Sequence, residues 1–113
     1  MSNTKFTKGP WAIHKQAYCC VTTESGQTLA NCGSACRNYG DIDLFRAEQL
    51  ANTNLIAAAP ELYDALDSHE QPLRVAINIL HRMGSAAASE VADELREALG
   101  ASCSALAKAR GEL

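Results

Sequence analysis

The sequence predicts an α+β fold in which a small N-terminal antiparallel β-hairpin or meander packs on a three-helix C-terminal layer. Three observations indicate it: β-forming runs separated by a turn lie within residues 9–32, apolar residues recur at helical spacing from Leu44 onward, and Pro60 divides the helical region. At 113 residues we expect one domain, with residues 1–8 flexible, residues 33–43 forming a loop and residues 44–113 helical.

The β unit is predicted from clusters of strand-forming residues. Residues 11–13 and 18–23 contain such clusters, residues 24–27 have the composition of a turn, and residues 28–32 can form a returning strand. A lone hairpin is marginally stable in water. We therefore expect the strands to pack on the helices, with Trp11 covering the helical layer, or to pair with a second chain in a homodimer.

The first helix is expected to run from the loop to about residue 59. Asp41 or Asp43 can cap it by accepting hydrogen bonds from the first backbone amides. Pro60 has no N–H group to donate, so we expect it to end this helix and begin the next. One long helix kinked at Pro60 is the alternative. One face, expected to lie against a shared core, carries apolar residues three or four positions apart: Leu44, Ala47, Ala51, Leu55 and Ala58.

The second helix begins at Pro60 and crosses Pro72. Its apolar stripe stays in phase across Pro72, which favours a bend or short break at that point. Between residues 73 and 83 the apolar positions cover most of the helix circumference, so we expect this segment to lie at the centre, covered on two sides. Gly84 is suited to end it.

The third helix is predicted after residues 85–89. Its apolar residues recur at helical spacing, and its acidic start and basic end complement the helix dipole. Gly100 costs about 1 kcal/mol relative to alanine in a helix interior. Close approach of a neighbouring segment would account for it.

Composition limits the classes of function. A net charge of −3 and only 5% aromatic residues argue against direct binding of nucleic acid, which favours a basic surface and stacking side chains. No apolar run approaches the roughly 20 residues of a membrane span, and the N-terminus lacks the apolar core of a signal peptide. We therefore expect a cytoplasmic protein that contacts no membrane.

The five cysteines are the residues most suggestive of chemistry. Cys19, Cys20, Cys32 and Cys36 could supply zinc ligands, but adjacent strand residues such as Cys19 and Cys20 point to opposite faces. His14 could activate a cysteine, yet no catalytic signature surrounds it. We predict free thiols, no metal, no cofactor and no catalytic residue.

The loop between the β unit and the helices is the candidate partner-binding site. It contains two glycines and the polar residues Arg37, Tyr39, Asp41 and Asp43. Tyrosine and arginine are enriched at interface hot spots. An ordinary connecting loop is the alternative.

Several motifs resemble those of a family of small tailed-phage and prophage accessory proteins. They are Gly9-Pro10-Trp11, Gly26 with Leu29-Ala30, Ala51-Asn52 with residues 55–62, Ala65-Leu66, and residues 105–112. Thr53, Asn54 and Tyr63 depart from the family pattern. The resemblance implies a phage accessory protein acting in the cytoplasm of a bacterial host, and it transfers no catalytic residues.

We therefore expect a non-enzymatic protein that binds and inhibits a host protein. The expected targets are host defence systems such as CRISPR. Three alternatives stay open. They are a module that sequesters a small molecule or nucleotide, a homo-oligomeric phage assembly factor, and a small enzyme or metalloprotein that uses the cysteine and histidine strand.

Overall fold

The computed structural model describes residues 4–33 and 40–112 and confirms the predicted α+β fold. A three-stranded antiparallel sheet precedes the helices, and the strand order is β1-β2-β3. The strands are β1 (Ala12–His14), β2 (Ala17–Thr22) and β3 (Thr28–Asn31), and the helices in the described ranges are α1 (Ile42–Ala57), α2 (Ala59–Ser68), α3 (Glu70–Arg82) and α4 (Ala86–Ala109).

The chain divides into two compact units. One unit, Phe6–Leu62, contains the sheet, α1 and the first residues of α2. The other contains the rest of α2 together with α3 and α4. The expectation of a single domain stays a prediction.

The sheet is the meander that the strand-forming clusters predicted. In its centre Val21 pairs with Ile13 on one side and with Ala30 on the other, and Val21 is fully buried. The turn between β2 and β3 is closed by the Gly26 amide, which donates to the Thr23 carbonyl at 3.0 Å. Gly26 has φ +92°, in the left-handed region that glycine adopts most easily.

Helix α1 packs on β1 and β2, but with a different face from the one predicted. Gln49 and Thr53 are buried, whereas Leu44 and Leu55 are 55% and 64% exposed. The Gln49 side chain accepts from the Tyr18 hydroxyl at 2.7 Å and donates to the Gly33 carbonyl at 2.6 Å. Because both polar ends of Gln49 are paired, it can be buried at little cost, and the apolar stripe is left outside.

The start of α2 confirms that a new helix begins next to Pro60. Helix α2 starts at Ala59, one residue earlier than predicted, so Pro60 is its second residue, and the preceding helix ends at Ala57. Pro60 is buried and packs on Gly9: a Cβ atom added to Gly9 would lie 2.7 Å from Pro60 Cβ. The Gly-Pro-Trp stretch therefore meets the helix junction, and only glycine fits without displacement.

A short break separates α2 from α3, and it is one of the two alternatives, a bend or a break, that were expected near Pro72. The break is at His69, so Pro72 falls in the first turn of α3. A missing N–H group costs little there, because the first helical amides have no partner within the helix. The predicted second helix is thus two helices.

Helices α3 and α4 form an antiparallel hairpin around Ile77, Ala92 and Leu99. Gly84, with φ +73°, ends α3 as predicted. Ser85 then caps α4, and its hydroxyl accepts from the Ala88 amide at 3.0 Å. Helix α4 therefore begins earlier than expected.

The prediction that α3 is covered on two sides is wrong. One side of α3 packs along α4, while Val75, Ile79 and Met83 on another side are 55%, 55% and 63% exposed. We call these three residues the α3 stripe. In a larger core, a helix as apolar as α3 would be buried on both sides. Within its unit, α4 is the one described helix that packs along α3.

The end of α4 is joined to α2 by a polar cluster. Arg110, which caps α4, donates from Nε to the Tyr63 hydroxyl and from Nη2 to Asp67 Oδ1 at 3.2 Å. Its guanidinium carbon also lies 5.6 Å from the centre of the Tyr63 ring. The hydrogen bond with Tyr63 contributes most to raising the Arg110 pKa, and the nearby carboxylates add to it.

Candidate functional site

The predicted loop site is only partly covered by the described residues. Arg37 and Tyr39 lie outside them. Asp41 caps α1, as expected, with Oδ1 accepting from the amides of Asp43 and Leu44 at 3.0 and 3.1 Å. Asp43 lies in the first helical turn and is exposed. Partner binding by these four residues stays a prediction, while Asp41 has a clear structural task.

The cysteines of the sheet lie close to one another without forming a disulfide. Cys19 and Cys20 are on β2, and the Cys32 amide donates to the Cys19 carbonyl at 2.7 Å across the β2–β3 pairing. Burial raises the pKa of the Cys20 thiol, and hydrogen bonding to Cys19 adds to the rise. A raised pKa keeps a thiol protonated and poorly nucleophilic near neutral pH.

Residues 4–33 and 40–112 contain no group of three or more histidine, cysteine, aspartate or glutamate side chains that could hold a metal ion. Cys36 lies outside these ranges. The His14 ring accepts from the Gln16 amide through Nδ1 at 3.0 Å, so this histidine has a local partner in the β1–β2 turn.

The strongest candidate site is an apolar surface on α1 that we call the α1 face. It consists of Leu44, Ala47, Ala51 and Leu55, which are all exposed. Their spacing of three and four residues places them in one row along the helix. The buried residues of α1, Gln49 and Thr53, occupy the opposite side, and Gln49 bonds to Tyr18 of β2, so the row points away from the sheet.

The residues of the α1 face were predicted from their spacing to share one side of the helix, but that side was expected to lie in the core. The pattern of apolar residues shows which ones share a face and not what covers that face. Hydrogen bonds of two polar residues decide which face is buried, and the apolar pattern does not show them. Thr53 donates to the Gln49 carbonyl at 2.7 Å, and both polar ends of the Gln49 side chain are paired. Two polar residues that satisfy each other or the sheet can be buried in place of leucine.

A second candidate is a groove of about 320 Å³ between α3 and α4, which we call the arginine groove. Ile77 and Leu99 form its apolar base, and Arg74, Asn78 and Arg96 complete its lining. Arg74 Nη2 lies 3.0 Å from Glu70 Oε1, and this hydrogen bond is the main cause that raises the Arg74 pKa.

The second arginine of the groove has polar neighbours on both helices. Arg96 Nη2 lies 2.8 Å from His81 Nε2, and Nη1 lies 3.5 Å from Asp93 Oδ1. The groove is therefore basic, but a carboxylate stands beside each guanidinium. Bound anions would have to compete with Glu70 and Asp93 for the arginines.

Comparison with known proteins identifies one family. The family described as Salmonella phage P22 protein Y8K6 matches residues 1–113, and its description names no reaction. Neither the curated proteins nor the solved structures gave a match. Within the described residues, none of the helices is both long enough and apolar enough to cross a membrane.

Proposed function

The chain belongs to the Salmonella phage P22 protein Y8K6 family, and we propose that it is a non-enzymatic accessory protein that binds and inhibits a protein of the bacterial host. The observation that carries this proposal is the α1 face. Four exposed apolar residues in one row form the pattern by which amphipathic helices bind grooves of partner proteins.

The α1 face can supply useful binding energy. Burying a leucine fully is worth about 1.5–3 kcal/mol, so the exposed part of Leu44 or Leu55 contributes about 1–2 kcal/mol on docking. More than half of each side chain is exposed in the free chain. Asp41 and Asp43 of the predicted loop site adjoin the N-terminal end of this face. The proposed interface would therefore have an apolar centre on α1 and charged residues at its border.

Inhibition would be steric. A chain of 113 residues that docks through one helix covers its partner's surface with the rest of its sheet unit. We propose a host defence complex as the target, because a phage protein that blocks such a complex protects the phage that encodes it.

Site-specific crosslinking tests the binding surface. A photo-crosslinking amino acid replaces Leu55 in one variant and Ser104, an exposed residue on α4, in the matched control. Irradiation in the host should join position 55, and not position 104, to one host protein. That protein, once purified, should lose activity when the wild-type chain is added, and Leu55→Glu should inhibit at least tenfold more weakly.

Two outcomes would contradict the binding proposal. One is a crosslinking pattern that is the same at positions 55 and 104. The other is a position-55 partner whose activity the wild-type chain leaves unchanged. The role in defence is tested separately: expression of the wild type should restore plating of a phage on a host that carries the targeted system, and Leu55→Glu should not.

The arginine groove supports a second candidate function, binding of a small organic anion such as a nucleotide. Arg74, Arg96 and Asn78 could hold its charged group, while Ile77 and Leu99 contact an apolar part. A nucleotide that binds there at 100 times its Kd should stabilise the unit by about 2.7 kcal/mol. Thermal unfolding of the wild type and of Arg96→Ala with a nucleotide panel tests this, and an equal shift in both proteins would refute it.

A further inference from the structure

We propose that the α3–α4 hairpin is a homodimer interface, in which the α3 stripe packs on the same hairpin of a second copy of this chain. This surface is distinct from the α1 face, and the pairing does not depend on the proposed host partner. It rests on the exposure of the stripe, the area of the hairpin and the charges at its border.

The α3 stripe is continuous and lies beside the packed side of the hairpin. Val75, Ile79 and Met83 are four residues apart, so they form one row along α3. Val91 on α4 is also exposed, at 45%. Four large apolar side chains on one small hairpin form the kind of exposed patch that marks an interaction site.

The area of this surface suits a dimer. At about 1.5 Å per residue, the 13 residues of α3 span about 20 Å and the 24 residues of α4 about 36 Å. Two adjacent helices are about 20 Å wide, so the hairpin presents roughly 400–700 Å² in projection, and more as accessible area. A standard interface uses about 800 Å² per partner.

A second copy is favoured over an unrelated partner because the hairpin has complementary charges at its border. Arg82 lies three residues after Ile79 and borders the α3 stripe, whereas Glu90 and Glu94 border Val91 on α4. All three are exposed, and none makes a salt bridge within the described residues. A two-fold axis parallel to the helices would place each Arg82 beside the acidic residues of the other copy.

This arrangement gives a four-helix bundle. Each α3 would lie between its own α4 and the α4 of the second copy, with neighbouring helices antiparallel. The contact is isologous, so the same residues serve both copies and the assembly closes at two chains. It also supplies the second cover that the broad apolar surface of α3 requires.

The mass in solution tests the dimer. Sedimentation equilibrium of the full chain at roughly 100 µM, above the micromolar Kd of a weak interface of this size, should give about twice 12.1 kDa. Ile79→Glu should raise the dimer Kd more than about 100-fold, because the interface would bury an unpaired charge. Ser104→Glu, an exposed change away from the stripe, is the matched control and should leave the Kd within about twofold.

A charge-reversal pair keeps the test decisive if Ile79→Glu fails to fold. Arg82→Glu should raise the Kd about tenfold, and adding Glu94→Arg should recover most of the loss. A wild-type mass near 12.1 kDa at this concentration would overturn the interface. So would a dimer that Ile79→Glu leaves intact in a folded protein, or an Arg82→Glu defect that Glu94→Arg does not reduce.

Discussion

Replacing Gln49 by methionine tests the polar link between α1 and the sheet. Methionine has nearly the length and volume of glutamine but neither donates to the Gly33 carbonyl nor accepts from the Tyr18 hydroxyl as an amide does. Two hydrogen bonds, at 2.6 and 2.7 Å, would be lost at a residue that is 6% exposed. Each is worth about 0.5–1.5 kcal/mol net.

We expect Gln49→Met to lower the free energy of unfolding by about 2 kcal/mol. The loss stays below the full penalty for buried polar groups because Tyr18 is 43% exposed, so its hydroxyl can bind water instead. Tyr18→Phe alone should cost about 1 kcal/mol. The double variant should cost less than the sum, because the two residues share one hydrogen bond.

Urea unfolding, monitored by tryptophan fluorescence, measures this effect in the structural unit that contains Gln49. Trp11 is the one tryptophan of the chain and lies in the unit that contains the sheet and α1. With a slope near 2 kcal/mol/M, the midpoint should fall by about 1 M. Gln71→Met, at an exposed position on α3, is the control and should change it little. An unchanged midpoint in Gln49→Met would refute the role assigned to Gln49.

Three further substitutions give distinct outcomes, each read from the free energy of unfolding. Gly9→Ala should cost about 1–3 kcal/mol, because the rigid Pro60 ring cannot move away from the new methyl group. Gly40→Ala would meet no atom of a non-adjacent described residue within 4 Å and should cost far less. Equal effects of the two substitutions would contradict the Gly9 contact. Asp41→Ala should lower the free energy of unfolding by about 1 kcal/mol because it removes the α1 cap, whereas Asp41→Asn should keep most of that stability. An alanine variant as stable as the wild type would show that the cap is unimportant. Leu99→Ala should cost about 2–5 kcal/mol because Leu99 is buried, and Leu55→Ala should cost under about 1 kcal/mol because Leu55 is exposed. A larger cost for Leu55→Ala than for Leu99→Ala would place the α1 face in the core.

Local features were predictable because each depends on a few neighbouring residues. The cap at Asp41, the restart at Pro60 and the end at Gly84 follow from the hydrogen-bonding capacity or backbone freedom of single residues. The three strands also followed from composition and a turn. These features fixed the fold class without knowledge of any distant contact.

Which face of each helix is buried was not predictable in the same way. On α1 the choice depends on a glutamine that meets a hydroxyl and a carbonyl from distant parts of the chain. On α3 the broad apolar pattern predicted cover on two sides, but the structure leaves one of these sides exposed. Periodicity does not state whether the same chain covers both sides. The proposed sites lie on the surfaces where these expectations failed. Arg37 and Tyr39 of the predicted loop site lie outside the described residues.

The contact between Gly9 and Pro60 has a consequence for the order of folding. Gly9 and Pro60 are distant in sequence. Bringing them together therefore costs more chain entropy than forming a hairpin of the sheet or a single helix. Local pairings form quickly, and contacts of this range tend to complete late. A change at Gly9 should therefore act mainly by speeding the escape from the native state, leaving the refolding rate close to that of the unmodified chain.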